Sequence, residues 1–229
     1  QYETPAVAER LLDGLLSLSC HAFWLRHIPW NSPHWRNLVA AAEQRRLSCA
    51  HHRLHEVGLV DLRRSWAEIK GGFSRNFRHH VRHAERRAEQ AGGVEVAVLE
   101  TFGPGELERY LRAGFELEAS GWKGRAGTSV LQQPGFFEFL VRQAEELARN
   151  GEVRLVFLRL CGKPIAFEYC WRAKGRLFTP KIAYDETYPR LSPGHFLMRM
   201  HLQELTLSRS LCEIDFVGPL ADYCQRWCT

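Results

Sequence analysis

The chain has 229 residues, 45% of them hydrophobic, and 31 Lys and Arg against 26 Asp and Glu give it a net charge of +5. That length supports a sizeable core in one large domain or two small ones. Its longest apolar run falls far short of a membrane span and no signal peptide is visible, so no membrane association and a cytoplasmic location are expected. Seven cysteines, at 20, 49, 161, 170, 212, 224 and 228, form no close C-x-x-C pair, and several lie in strand-like runs. Buried, reduced thiols are expected.

In chain order, residues 33–46 read as a helix after an Asn31-Ser32 cap, and residues 49–62 hold strand-like stretches that end near Trp66. This opening block has too few elements for a complete fold. Residues 75–90 read as a helix whose thin apolar stripe is Phe77, Val81, Ala84 and Ala88, stopped by Gly92-Gly93. The rest of that helix is basic: Arg75, Arg78, Arg82, Arg86 and Arg87 stand among His79, His80 and His83. Such a face is either a solvated helix surface or a patch that meets phosphates, an anionic substrate or RNA. Residues 94–99 alternate as a strand, residues 105–119 return as a helix, and Phe137, Leu140, Val141, Ala144, Leu147 and Ala148 mark another.

Three strands follow at 153–160, 164–171 and 176–183, joined by connections short enough to be hairpins. A helix after Ser192 carries Met198, Leu202 and Leu205 at helical spacing, and residues 211–217 supply a further strand. The order β-α-α-β-β-β-α-β predicts a mixed sheet with helices on its faces. No internal repeat or low-complexity tract interrupts it.

The turn from Ser192 through Pro193 and Gly194 to His195 is the most informative feature. A glycine where the unpaired N–H groups of a helix begin suits a pyrophosphate, as in an acyl-CoA or a nucleotide. The alternative is an ordinary N-cap with proline in the first turn. Pro180 inside the preceding strand removes a ladder hydrogen bond, which predicts a bulge or a locally unpaired strand there, or else an edge position. Histidines near Cys49 (His51, His52 and His55) match no closed zinc pattern, so no metal is expected. Neither a GxSxG elbow, a Walker loop nor an HExxH helix is present.

The element order, with a phosphate-type turn after the fourth strand, resembles the Gcn5-related N-acetyltransferase (GNAT) fold. The words LEASGWKG (117–124), GKPIAFEY (162–169), AYDETYPRLSPGHFLM (183–198) and DFVGPLADYCQRW (215–227) look like the CelD/BcsL-type acyltransferases, relatives of the FemAB/FemX aminoacyltransferases. The likeness covers residues 60–229 well, though Cys224 stands where those relatives place a Lys after the tyrosine. It implies a fold of the α/β (α+β) class: a GNAT-like, mixed and largely antiparallel sheet flanked by helices. Residues 1–70 would be an incomplete FemX-like N-terminal half domain, and residues 71–229 a GNAT-like domain lacking its last strands. The chain is therefore expected to be a piece of a longer protein.

Acyl transfer from a thioester to an amine needs an anchored donor, a polarised carbonyl, a deprotonated amine and a thiolate that can leave. Ser192, Pro193, Gly194 and His195 are the candidates for anchoring acetyl-CoA or another acyl-CoA as co-substrate. In the resembled fold, free backbone groups of the fourth strand face the donor, which nominates Lys181, Ile182 and Ala183. For proton transfer the candidates are Glu168, Asp185, Asp215 and the hydroxyls of Tyr184 and Tyr223, with Asp215 or Glu168 favoured as base and a tyrosine as acid; Asp215 alternatively caps a turn. Asp185 follows the fourth strand and joins the acceptor set with Trp122 and Lys123, a pair in a Gly-bounded loop that forms either an acceptor wall or a cover for the core. Arg75, Arg78 and Arg82 recur at helical spacing and suit an anionic acceptor. The expected activity is acyl-CoA-dependent N-acylation of a polysaccharide-related or other small-molecule amine. The alternatives are a FemX-like aminoacyltransferase fed by tRNA and a catalytically silent binding module.

Overall fold

A computed structural model describes residues 5–26, 28–30 and 32–229. Asn31 of the expected cap lies outside the described residues, and Ser32 precedes its helix without a side-chain cap bond. The chain divides into two compact units, the first ending at His55 and the second spanning Glu56–Thr229. Residue 70, the boundary drawn from the sequence, lies within a helix of the second unit.

In the first unit, helices α1 (Pro5–Leu16) and α2 (Pro33–Gln44) pack through Ala8, Leu12, Leu38, Ala41 and Ala42. Arg45 pairs with Asp13 and Glu9 across them. The strand-like stretches expected before Gly58 are irregular backbone. Polar and charged neighbours break the period that a half-buried strand needs.

The second unit is built on a six-stranded sheet in the order β1-β6-β5-β4-β3-β2. Its strands are β1 (Leu59–Asp61), β2 (Val94–Leu99), β3 (Val153–Leu160), β4 (Lys163–Ala173), β5 (Arg176–Tyr184) and β6 (Glu213–Asp215). All neighbours pair antiparallel except β5 and β6, which are parallel. Two-residue hairpin turns explain the antiparallel β3-β4-β5 block. Cys161 and Gly162 in one turn, and Lys174 and Gly175 in the other, all have positive φ, the geometry that matches the twist of paired strands.

Helices cover both faces. On one lie α5 (Glu106–Ser120), the short α6 (Trp122–Arg125) and α7 (Phe136–Arg149). There Leu111, Phe115, Leu140 and Ala144 pack on Leu155, Phe157, Phe167 and Tyr169. Gly114 is forced by this packing, because a Cβ at that position would stand 2.3 Å from the ring of Phe167. On the opposite face lie α3 (Trp66–Gly72), α4 (Arg75–Ala91) and α8 (Pro193–Ser208). Ser65 and Glu68 close a capping box at α3, and the Ser74 hydroxyl accepts from Phe77 N at α4.

The apolar stripe read in α4 is buried, with Phe77 and Val81 beside Met198, Leu202 and Leu205 of α8. A last short helix, α9 (Asp222–Gln225), leads to Trp227, which is fully buried against Phe73 and Phe77. The cysteine expectation is corrected: all seven are free, but only Cys170 is buried, whereas Cys20, Cys49, Cys161 and Cys212 are exposed. Cys161 and Cys212 fall at strand ends and turns, where an apolar neighbourhood in sequence does not become burial.

Candidate active site

A strand that loses its partner partway creates a slot lined by free backbone groups. β5 does this. It pairs with β6 only through Arg176, Leu177 and Phe178, because β6 ends at Asp215 while β5 continues to Tyr184. On its other edge β5 keeps pairing with β4 up to Tyr184, with a register shift between Tyr169 and Trp171 that leaves Thr179 and Pro180 without partners. Pro180 therefore sits at a bulge, where its missing N–H costs no ladder bond. The gap opens toward the loop that leads into α8.

The entry to α8 differs from an ordinary cap. Ser192 adopts a left-handed backbone (φ 46°, ψ 58°), and its side chain makes no cap bond to the helix. Pro193 and Gly194 are buried. A Cβ on Gly194 would meet the Tyr184 ring at 3.2 Å, so the glycine admits that ring. The Tyr223 hydroxyl donates to Gly194 O at 2.9 Å, and the His195 ring stacks on Tyr223 with centroids 4.8 Å apart. Burial, reinforced by the charge of Glu168, pushes the Tyr223 phenol far above its ordinary pKa and keeps it protonated. Burial, then His80 and Arg226, lowers His195 to about 4, so its imidazole is neutral at pH 7.

Beneath these groups lies a buried polar network. Strand alternation sends Phe167 and Tyr169 toward α5 and Glu168 and Cys170 toward α8. Glu168 and His201 have no exposed side-chain surface, and His201 Nδ1 lies 2.6 Å from Glu168 Oε2. Arg154 Nε is 3.0 Å from His201 Nε2. Arginine can only donate, so Nε2 accepts, the ring proton is on Nδ1, and Nδ1 donates to Glu168. Arg154 also bonds Glu100 and Glu204, and Arg172 bonds Glu100. Glu168 Oε1 is buried and has no partner among the described residues.

Ligand atoms of Glu168, Cys170 and His201 lie within 4.8 Å of one another, yet both imidazole nitrogens are already engaged, one of them by a cation. Burial, together with the charge of Glu168, also raises the Cys170 thiol well above its usual pKa.

The structure thus brings Glu168, Tyr184, Gly194, His195 and Tyr223 together on the α8 side of the β5 gap. Asp215 stands at the closed end of that gap, where its Oδ1 accepts from Val217 N at 2.9 Å and shapes the turn after β6. Ile182 packs toward α8 and Ala183 toward α5, leaving their main chain on the free edge. Lys181 turns to the α5 face, with its ammonium 4.8 Å from the Phe136 ring centroid, and burial lowers its pKa.

On that same face Lys123 pairs with buried Glu118 at 2.5 Å, and Trp122 is 54% exposed. Glu186 ties this corner to the loop before α8 by accepting from Trp122 N and Arg125. Asp185 is buried and structurally committed, with Thr187 and Lys163 as donors. Burial alone would raise its pKa, but these bonds hold it below the usual carboxylate range. Arg75, Arg78 and Arg82 stay on α4, where Arg78 donates to Gly71 O.

Sequence reasoning missed Arg154 and His201. Both carried a signal: Arg154 is the charged residue at a core-facing position of the run VRLVFL, and His201 lies on the apolar stripe of α8 between Met198 and Leu202.

Residues 75–224 match the family described as "Acetyltransferase (GNAT) domain". A search of curated proteins finds no match. Among solved structures, FemX superposes with a TM-score of 0.66 at 12% identity, covering 99% of this chain and 74% of that one. L-PGS from Bacillus licheniformis gives 0.47 at 16% identity, over 82% of this chain and 60% of that one. The C-terminal domain of a putative lysylphosphatidylglycerol synthetase from Agrobacterium fabrum gives 0.46 at 17% identity, over 75% of this chain and 49% of that one. The FemX likeness agrees with the mixed, mostly antiparallel six-stranded sheet flanked by helices. No helix among the described residues is long and apolar enough to cross a membrane. With its family matched across most of its length, the chain belongs to the GNAT acetyltransferase domain family and is an acyltransferase.

Proposed function

We propose that the protein transfers an acyl group from an acyl-CoA to an amine of a small molecule or glycan precursor. The observation that carries this reading is the free edge of β5 from Thr179 to Tyr184 beside the first turn of α8. The slot fits an extended thioester arm. It offers main-chain groups of Lys181, Ile182 and Ala183 for amide pairing, and a helix N-terminus that favours negative charge. When bound, acyl-CoA would supply the activated carbonyl. Tyr223, kept protonated by burial, can donate to a departing thiolate once its hydroxyl leaves Gly194 O.

Glu168, fixed by His201 and with Oε1 free, is the better placed of the two candidate bases. Asp215 Oδ1 is occupied by Val217 N. Trp122, with Lys123 and Arg125 anchored behind it, offers an exposed aromatic wall for the acceptor at the α5 end of the slot.

The test is steady-state transfer from acetyl-CoA and longer acyl-CoAs to a panel of amino sugars and their nucleotide derivatives. E168Q and Y223F should each lower kcat by about 10²-fold or more, the usual scale for general acid–base groups. D215N should stay within about threefold if it only shapes its turn. No transfer to any amine, together with no calorimetric binding of CoA to the full chain, would overturn the proposal. A second reading, transfer from a charged tRNA, is favoured by the FemX-like fold and the basic face of α4. It predicts RNA binding that weakens steeply with salt and is lost in R78Q/R82Q.

A further inference from the structure

Beside the first turn of α8, α4 borders a hollow of about 400 Å³ lined by Asn76, His79, His80, His83 and Arg87. A second hollow of about 440 Å³ shares Asn76 and His80 with it and adds Phe77 and Arg226. The two adjoin the α8 entry: the His80 ring lies 5.0 Å from that of His195, and Arg87 donates to Arg190 O in the loop before α8.

Positive groups crowd here without acidic partners. Among the described residues no carboxylate pairs with Arg82, Arg86, Arg87 or Arg226, and the nearby Glu85 is taken by Arg199. His80 Nε2 and His195 Nδ1 are buried atoms with no partner. The histidines register the uncompensated charge. His83 is held below its ordinary pKa first by His79, then by burial and by Arg87 and Arg86. His80 is held down by burial, then by Arg226, Arg87 and His83. Orphaned ring nitrogens beside two guanidinium groups that have no carboxylate partner call for an anion with several acceptor oxygens.

We propose that this double hollow is an anion-binding subsite for phosphate groups on the nucleotide portion of the donor. Arg87 and Arg226 form its charged sides, and Asn76, His80 and His83 are the adjustable donors between them. The identity of the ligand rests on the thioester-donor reading above; the anion chemistry of the hollow does not.

Inorganic pyrophosphate, titrated calorimetrically into the full chain, is the probe. R87Q and R226Q should each weaken binding about tenfold or more, the scale of one lost charge-assisted hydrogen bond. R209Q, at the far end of α8, should leave it unchanged. Binding should also strengthen between pH 8 and pH 6. An anion raises the affinity of His80, His83 and His195 for protons against the arginines that now oppose them, so protons are taken up on binding and the heat depends on the buffer.

Equal affinity in wild type, R87Q and R226Q would overturn the subsite. If acetyl-CoA turns over with KM unaffected by R87Q and R226Q, the subsite fails while the transferase reading stands. If pyrophosphate binds and depends on both arginines yet no thioester is used, the subsite stands and the donor reading fails. Competition for pyrophosphate by RNA, but not by CoA, would assign the phosphates to a nucleic-acid backbone.

Discussion

Replacing His201 with alanine tests the network under the slot. Glu168 and His201 both have 0% side-chain exposure, and among the described residues the 2.6 Å bond from Nδ1 is the one hydrogen bond to the Glu168 carboxylate. Removing the imidazole leaves a buried carboxylate with neither oxygen bonded by the described residues. Breaking a buried pair on one side costs about 3–5 kcal/mol. Arg154 loses one partner but keeps Glu100 and Glu204, so it adds little.

For a domain of this size the loss corresponds to a fall in Tm of roughly 6–20 °C. Urea unfolding of the full chain should show a lower midpoint at unchanged slope. E168L/H201L, which removes both partners, should recover much of the loss, because an apolar pair leaves nothing unpaired. The reasoning is refuted if H201A costs less than about 1 kcal/mol, or if the double replacement is as damaging as the sum of the single ones.

Two further outcomes follow from packing and titration. G114A places a methyl carbon 2.3 Å from the Phe167 ring and should cost about 1–3 kcal/mol or more by overpacking, read as a lowered urea midpoint; a neutral result would mean α5 can lift from the sheet at no cost. His195 has a folded pKa of about 4 against an ordinary 6.5, so the unfolded chain binds the extra proton between these values. Stability from this group is complete above pH 6.5 and falls by about 3 kcal/mol as pH drops to 4. H195N should flatten that part of the stability curve, and an unchanged acid limb would show that His195 protonates freely in the folded state.

Local elements of the second unit were readable because each was written by one strong signal. The α4 stripe, the two hairpin turns and the apolar runs of β3 to β5 need no distant partner to be recognised. Pro180 was informative for the same reason, since a proline in a long strand restricts what its neighbours can do. What escaped were relations between distant segments. β1 is three residues long and gains strand character only by pairing with β6, far along the chain. α3 is set by its capping box, α6 by Glu186 accepting from Trp122 N, and α9 by Tyr223 and Cys224 packing on the core, more than by period.

Gly194 was visible as a glycine at a helix start, but its neighbour, the Tyr184 ring, was not. The coupling of Arg154, His201 and Glu168 joins three separate elements, and no spacing along one element encodes it. Asp215 looked desolvated between Ile214 and Phe216, whereas its carboxylate reaches the next turn.

The placement of β1 has a practical consequence for where the catalytic unit can be cut. The family match starts at Arg75, but β1 protects the outer edge of β6, and Thr229 in turn donates to Leu59 O. A fragment trimmed to the matched residues would bare the main-chain edge of β6 beside the mouth of the slot, and exposed edges of that kind recruit other chains. Self-association of such a fragment would come from the cut, and the intact chain has that edge already covered.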